Sequence, residues 1–545
     1  MTDTIRPQPA NARPRQWPRT IILLIAFLLA VNAGVRLARL HADSPPLPNK
    51  FRNVAPYKDE GAKAHEARNR ALFGAWQTNP RDNYRFWSTQ APVWTDSLYL
   101  WFRIFGVSYA SLRVLSIVCA LLTLLAGAVA LHKAGFTTGA LFFPVILGLN
   151  FYYLIFSRLG LMEPMVVLWL TLAAAFLAFS RNQAWNFIPA TLFLLAGLLS
   201  KTSAFMFLPV WAAYALLLFL NKVQGPSPKR DKRIAIVFPA LTAGLLLAIT
   251  SFFLSPSFRS VAEMAFRHGF DLHEDIGQGA FMELLSNVVS SFLPVNLWRG
   301  YFMMLPSAAL LGAGWALNIF WRAFKRQKVT DLEWICLAWF VIGRGAASAA
   351  PYQAVRFHLY YFAPLAILAA MAADHLWNLG TTVTTDNIDQ QRNRKKRVLG
   401  RGLVAALLTY ELLMTAVPWL QWVTNPRYDI VSASRQLGKV LESEELETGR
   451  GPVVIGEWAG PLSLENNMIL HYVKGPFNDQ SEQLAAFGIT HLLENQDRYD
   501  PAVGLFSKKF PEIYQQKRLV AEFRVRDRLL KLWRVPLPPG NPSNP

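Results

Sequence analysis

Residues 20–40 read TIILLIAFLLAVNAGVRLARL, close to the roughly 20 residues that a helix rising about 1.5 Å per residue needs to cross about 30 Å of hydrocarbon. The pattern recurs at 234–254 (IAIVFPALTAGLLLAITSFFL) and 402–423 (GLVAALLTYELLMTAVPWLQWV). Working outward from these runs, spans are expected at about 20–40, 112–131, 138–156, 163–180, 185–199, 204–220, 234–254, 302–321, 332–349, 357–377 and 402–423, eleven in all. Composition agrees. Of 545 residues 53% are hydrophobic and 17% charged, against about 25% charged in a soluble chain. These values exclude a disordered, collagenous or disulfide-rich chain.

Lys and Arg in short loops stay on the cytoplasmic side. Counting from a cytoplasmic N-terminus, every second loop should therefore be basic. Each one is: Arg6, Arg13, Arg15 and Arg19, then His132 and Lys133, Arg181, Lys222 to Arg233, Arg322 to Lys328, and Arg392 to Arg401. Topology thus accounts for much of the formal charge of +20, and the basic balance gives no argument for a nucleic-acid partner. The first run is longer than a signal-peptide core and lacks a small-residue cleavage site, which reads as a retained helix. Cys119 and Cys336 fall inside spans as small apolar side chains, with no metal or disulfide spacing.

The expected fold is an α-helical polytopic membrane protein of about eleven transmembrane helices with a small C-terminal α/β extracytoplasmic domain. Residues 1–19 form a cytoplasmic basic tail and 20–423 a transmembrane catalytic domain with outside loops at 41–111 and 255–301. Residues 424–545 form the extracytoplasmic domain: a helix (IVSASRQLGKVLE), short strands (PVVIGEW, THLLE) and a hairpin around Arg526, Asp527 and Arg528. The stretch 92–106 is apolar but too short to span. It reads as an interfacial helix with Trp94, Tyr99 and Trp101 at headgroup level.

Candidate chemistry collects at the outer edge. Asp59 and Glu60 follow the first span, and adjacent residues on a helix face different partners. One could serve as base while the other orients, or both could favour a helix's first turn. The turn FSRLGLMEP places Arg158 and Glu163 at the membrane edge, where ionisable groups are costly unless paired or facing a polar cavity. Lys201 lies in LLSKTSAF. Arg356, His358 and Tyr361 lie in AVRFHLYYFAPLAIL, at the entrance to the tenth span. Cations gathered on the acidic side suit an anionic phosphate, with guanidinium giving bidentate contacts and ammonium a point charge. Each alone reads more readily as a lipid anchor than as a ligand, and it is their joint confinement to the acidic side that favours the phosphate. The second outside loop adds His268, Asp271, His273, Glu274 and Asp275. They match no standard metal motif, and a divalent metal ion, an acceptor contact and a polar interfacial loop all fit. The sequence demands no other cofactor.

These residues carry a resemblance. A DE pair after the first helix, then P-x-W followed by LWFRIFGVSYASLRVLS, SRLGLMEP, GLLSKTSAFMFLP and RFHLYYFAPLAIL resembles, in order, the GT-C glycosyltransferases. Among these it is most similar to the protein O-mannosyltransferases and the lipid A aminoarabinose transferases. The similarity covers about residues 20–380 and is strongest from 55 to 210. It implies a GT-C-like enzyme of the inner membrane that takes a sugar from a polyprenyl phosphate and gives it, on the outer face, to a glycolipid, protein or envelope glycan. By position, Asp59 matches the first-loop aspartate that activates or orients the acceptor, Glu60 its neighbour, and Glu163 a second acidic residue. Arg356 matches a basic residue near the donor phosphate. Glu163 is often Asp in the family, and Arg-Phe-His replaces the commoner Arg-Tyr. The competing expectation is a secondary transporter or flippase, which would place charges near the bilayer midplane; Glu411 in the last span is of that kind.

Overall fold

The first apolar run forms α1 (Arg19–Leu37), with Pro18 at its N-cap. The computed structural model describes residues 17–45, 57–223, 306–349, 355–381, 387–473, 477–497 and 499–537, with scattered residues between 231 and 290. The segment that follows is helical: α2 (Tyr57–Phe73), α3 (Phe86–Gln90) and α4 (Pro92–Phe105). Then comes α5 (Tyr109–Lys133), whose N-cap Ser108 accepts a hydrogen bond from the Ser111 N–H at 3.1 Å.

The expected single span at 138–156 is two helices, α6 (Gly139–Ile146) and α7 (Phe151–Arg158), bent by 69°. Pro144 lacks an N–H for the helix ladder, and Asn150 starts a new helix by accepting from the Tyr152 and Tyr153 N–H groups at 3.1 Å. The carbonyls freed at the break are met from α1. Arg36 Nη2 donates to Gly148 O at 2.9 Å and Asn32 Nδ2 to Pro144 O at 3.3 Å. Apolar composition could not reveal this break, because a broken helix inside protein needs only local partners for its backbone.

Next come α8 (Glu163–Ala178), α9 (Phe187–Ser200), α10 (Leu208–Val223), α11 (Pro306–Phe324), α12 (Asp331–Ala349), α13 (Leu359–Trp377) and α14 (Asn387–Thr424). Among the described residues five helices are long and apolar enough to cross a bilayer, or six if the bent pair counts as one span. By length and composition these helices suit a helical membrane protein. The count of eleven is not confirmed among the described residues: α8 and α9 have 16 and 14 residues, and 234–254 lies largely outside them. Cys119 and Cys336 are buried and unbonded.

The chain ends in α15 (Asp429–Thr448) and a five-stranded sheet: β1 (Val453–Ile455), β2 (Ile469–Leu470), β3 (His491–Asn495), β4 (Arg518–Val525) and β5 (Arg528–Arg534), in the order β2-β1-β3-β5-β4. The β1 contacts are parallel; β3/β5 and β4/β5 are antiparallel. Arg526, at φ 59°, turns the expected hairpin, and its N–H donates to Asp429 Oδ2 at 2.9 Å.

One side of this sheet has its own core around Leu484, Leu492, Val503 and Phe506. The other shares a core with α2, α4 and the start of α5, in which Trp94, Leu98, Tyr109, Trp458 and Leu530 are buried together. Trp94 is therefore a core residue, fully buried, packed under the tail rather than open to lipid. The face of α4 carrying Leu100, Ile104 and Phe105 is the exposed apolar one. Buried Arg68 of α2 fastens the two parts by donating to the carbonyls of Ser463, Asn466 and Met468 at 2.8–2.9 Å.

Candidate active site

The DE pair opens α2, and on a helix the two carboxylates point about 100° apart. Glu60 turns inward. Both its oxygens accept from Arg113, Nε and Nη2 each at 2.9 Å, and Oε1 also accepts from the Gly160 N–H at 2.8 Å. Both side chains are wholly buried. Asp59 turns the other way, toward the ends of the helices that carry Glu163, Lys201 and Arg356.

There it meets residues from three further segments. Glu163 stands in the first turn of α8, ahead of Pro164. Lys201 takes the extended C-cap position of α9 (φ −168°, ψ 134°), which aims its side chain off the helix end. Arg356 comes from the 3₁₀ turn Val355–His358 that leads into α13. Arg356 bridges the carboxylates, with Nη2 3.0 Å from Asp59 Oδ2 and Nε 3.3 Å from Glu163 Oε1. Lys201 Nζ is 2.6 Å from Glu163 Oε1 and lies over the rings of Phe357 and Tyr360 at 4.9 and 5.7 Å. Glu163 is fully buried, and among the described residues its Oε2 has no hydrogen-bond partner.

A fifth member was not foreseen. Lys63, one turn beyond Asp59 on α2, brings Nζ to 3.5 Å from Asp59 Oδ2 and lies over Trp87 at 5.9 Å. The i, i+4 spacing was the available signal. The cluster thus holds two carboxylates and three cations, an excess of one positive charge. Burial would raise the Asp59 carboxyl, but Lys63 and Arg356 outweigh it and hold it below the usual carboxylate range. Burial likewise lowers the Lys63 ammonium, against the opposing pull of Asp59 and Glu163.

The tail reaches the same place. Lys58 pairs with Glu457 and lies over Trp458 at 5.2 Å, and burial beside Asp59 and Glu457 raises the Tyr472 phenol. Deeper in this contact Asp82 receives His471 Nδ1 at 2.8 Å and Asn478 Nδ2 at 2.8 Å.

Other sequence candidates stand apart from the cluster. Arg158 does not meet Glu163. It donates to the carbonyls of Arg36, Ala38 and Arg39 at 2.8–3.3 Å, where a cation suits the C-terminal end of α1, and lies over Trp422 at 4.2 Å. His358 Nδ1 partners the Tyr361 hydroxyl, which also receives Arg344 Nη1 at 3.1 Å. His268, Asp271, His273 and Glu274 lie outside the described residues. Among the described residues no group of three His, Cys, Asp or Glu side chains is placed to hold a metal. Glu411 accepts from the Ser307 N–H at 3.0 Å and from Asn150 Nδ2 at 2.7 Å, so this intramembrane carboxylate caps α11 and steadies the α6–α7 break.

No family model and no curated protein matches the chain. Solved structures do. The crystal structure of ArnT from Cupriavidus metallidurans bound to undecaprenyl phosphate superposes with TM-score 0.56 at 13% identity, covering 94% of this chain and 97% of that one. The apo structure of the same protein gives TM-score 0.54 at 15% identity, over 94% and 98%. ArnT is a lipid A aminoarabinose transferase of the GT-C superfamily. Over nearly its whole length, this chain has the GT-C fold that its ordered motifs resemble.

Proposed function

We propose that the chain is an integral-membrane glycosyltransferase that moves a sugar from a polyprenyl phosphate to an acceptor on the outer face of the inner membrane, with its N-terminus cytoplasmic. The observation that carries this reading is the cluster of Asp59, Lys63, Glu163, Lys201 and Arg356, which four segments of a GT-C fold bring together outside the span ends. Nucleotide sugars are made in the cytoplasm, so an outer site needs a donor that arrives within the membrane. A polyprenyl-phosphate-linked sugar does so, and ArnT was crystallised with undecaprenyl phosphate.

In this reading Lys201 and Arg356, with Lys63 beside them, meet the donor phosphate, and buried Glu163 holds Lys201 and Arg356 in place. The acceptor oxygen forms a bond to the anomeric carbon as the carbon–oxygen bond to phosphate breaks. The electron pair leaves on the polyprenyl phosphate, whose growing charge the cations stabilise. Asp59 orients the acceptor hydroxyl and takes its proton as the new bond forms. With Asp59 serving as base rather than as a covalent nucleophile, the anomeric centre inverts. Glu60 acts at one remove, by locking α2 to α5 through Arg113. The reading is tested by transfer of radiolabelled sugar from a panel of polyprenyl phosphate sugars, with Asp59→Asn as control.

A further inference from the structure

At the end of the helices opposite the Asp59 cluster lies a groove of about 900 Å³ that the proposed reaction does not use. Its walls are Leu122, Leu125 and Val129 of α5 and Leu172 and Phe176 of α8, with Trp185 at its foot. Leu122, Leu125 and Trp185 are 45%, 38% and 46% exposed, so the groove opens sideways. On α8 its residues face away from the cluster. Glu163 and Leu172 are nine positions apart, which at about 100° per residue places them on opposite sides of the helix. A chain lying here does not run from the Glu163 face.

Two features identify the occupant. The groove runs from Leu122 to Lys133 on α5, a rise of roughly 16 Å at 1.5 Å per residue. That is about half of a 30 Å hydrocarbon core, the depth of a single leaflet. At its foot the apolar wall gives way to a second cavity of about 520 Å³, lined by Lys133, Arg181, Asn182, Asn221, Lys328 and Asp331. Lys133, Phe179 and Asn182 line both spaces. Arg181 pairs with Asp331 at 2.9 Å, leaving Lys133 and Lys328 as the excess charge of three cations over one anion. An apolar slot one leaflet deep that ends in a cationic cleft has the shape and charge of an anionic lipid. We propose that the chain binds one anionic glycerophospholipid here, an acyl chain between α5 and α8 and its phosphate among Lys133, Arg181 and Lys328.

The test is native mass spectrometry of the full chain in detergent, titrated with phosphatidylglycerol or with phosphatidylcholine of the same acyl chains. One phosphatidylglycerol should be retained at concentrations at least tenfold below those needed for phosphatidylcholine. Lys133→Gln with Lys328→Gln should weaken that retention roughly 25-fold, about fivefold per charge removed at a membrane surface. Lys395→Gln with Lys396→Gln, basic residues elsewhere on α14, should leave it unchanged. Ala126→Phe fills the groove without touching the charges. It should weaken retention of both lipids, which keeps the test sound if the double variant folds poorly. Equal retention of the two lipids would mean annular contact only and would overturn the proposal. So would unchanged retention in both groove variants, or displacement of the bound lipid by equimolar polyprenyl phosphate, which would make the groove the donor's.

Discussion

Asp59 and Glu60 are adjacent, yet their surroundings predict opposite kinds of damage on mutation. Glu60→Ala removes one partner of a wholly buried pair. Arg113 Nη1 keeps the carbonyls of Leu40 and Ala42 at 2.7 and 2.9 Å, but Nε and Nη2 lose both acceptors and the Gly160 N–H loses its own. Stranding a buried charge in this way costs about 3–5 kcal/mol. Glu60→Gln keeps one acceptor oxygen and should cost less, about 1–3 kcal/mol. Asp59 is part-exposed, its side chain retaining 27% of its accessible area, and its loss should change stability by about 1 kcal/mol or less. The assay pairs thermal unfolding of purified protein in detergent with sugar transfer per mole of folded enzyme. Glu60→Ala should melt several degrees below wild type yet, assayed well below its melting temperature, retain turnover within about tenfold. Asp59→Asn should melt near wild type with turnover reduced by about a hundredfold or more, within the range a general base contributes. A Glu60→Ala protein with wild-type melting and no turnover would refute the reasoning, because Glu60 would then act on the substrate.

Four further outcomes are expected. Arg356→Ala and Lys201→Ala each remove a charge-assisted contact and should raise the donor KM roughly 10- to 100-fold; an unchanged donor KM in both would take the phosphate away from this cluster. Asp59 is held below the usual carboxylate range, so the acid limb of kcat/KM should lie below that of an ordinary aspartate, and a limb above that range that moves in Asp59→Glu would contradict this. Burial pushes the Glu66 carboxyl up to about 7, even though it accepts from the Trp87 and Ser88 N–H groups at 2.7 and 2.9 Å. The folded state then binds the extra proton between about pH 4.5 and 7, so stability should fall as pH rises through that window, by up to about 3 kcal/mol; Glu66→Gln should flatten the slope in a melting series. Gly61→Ala would drive a methyl group into the Gly460 carbonyl and Pro461, and limited proteolysis should then cut the tail faster than in wild type.

Much of the fold was legible because apolar run length and loop charge report directly on solvent. α1, α5 and α13 lie where those signals put them. The α6–α7 break was not legible, since Pro144 sits in a stretch as apolar as any span and its remedy, Arg36 and Asn32, comes from another helix. At the site, sequence placed Asp59, Glu163, Lys201 and Arg356 at one membrane edge, and the fold joins all four. It could not separate Arg158 from them: Arg158 lies five residues before Glu163, and only the turn between α7 and α8 sends it to the end of α1. Trp94 shows the same limit. The tail, more than 300 residues later, covers the face that carries it and leaves Leu100, Ile104 and Phe105 exposed.

The central claim is chemical: a polyprenyl phosphate gives up its sugar at the Asp59 cluster. The most direct measurement is radiolabelled sugar transfer or hydrolysis by the purified protein in lipid, across a panel of polyprenyl phosphate sugars with a membrane extract as acceptor source. Turnover by wild type that Asp59→Asn abolishes while remaining folded is the predicted result. No turnover across the panel by intact protein, or full turnover by Asp59→Asn, would contradict the account.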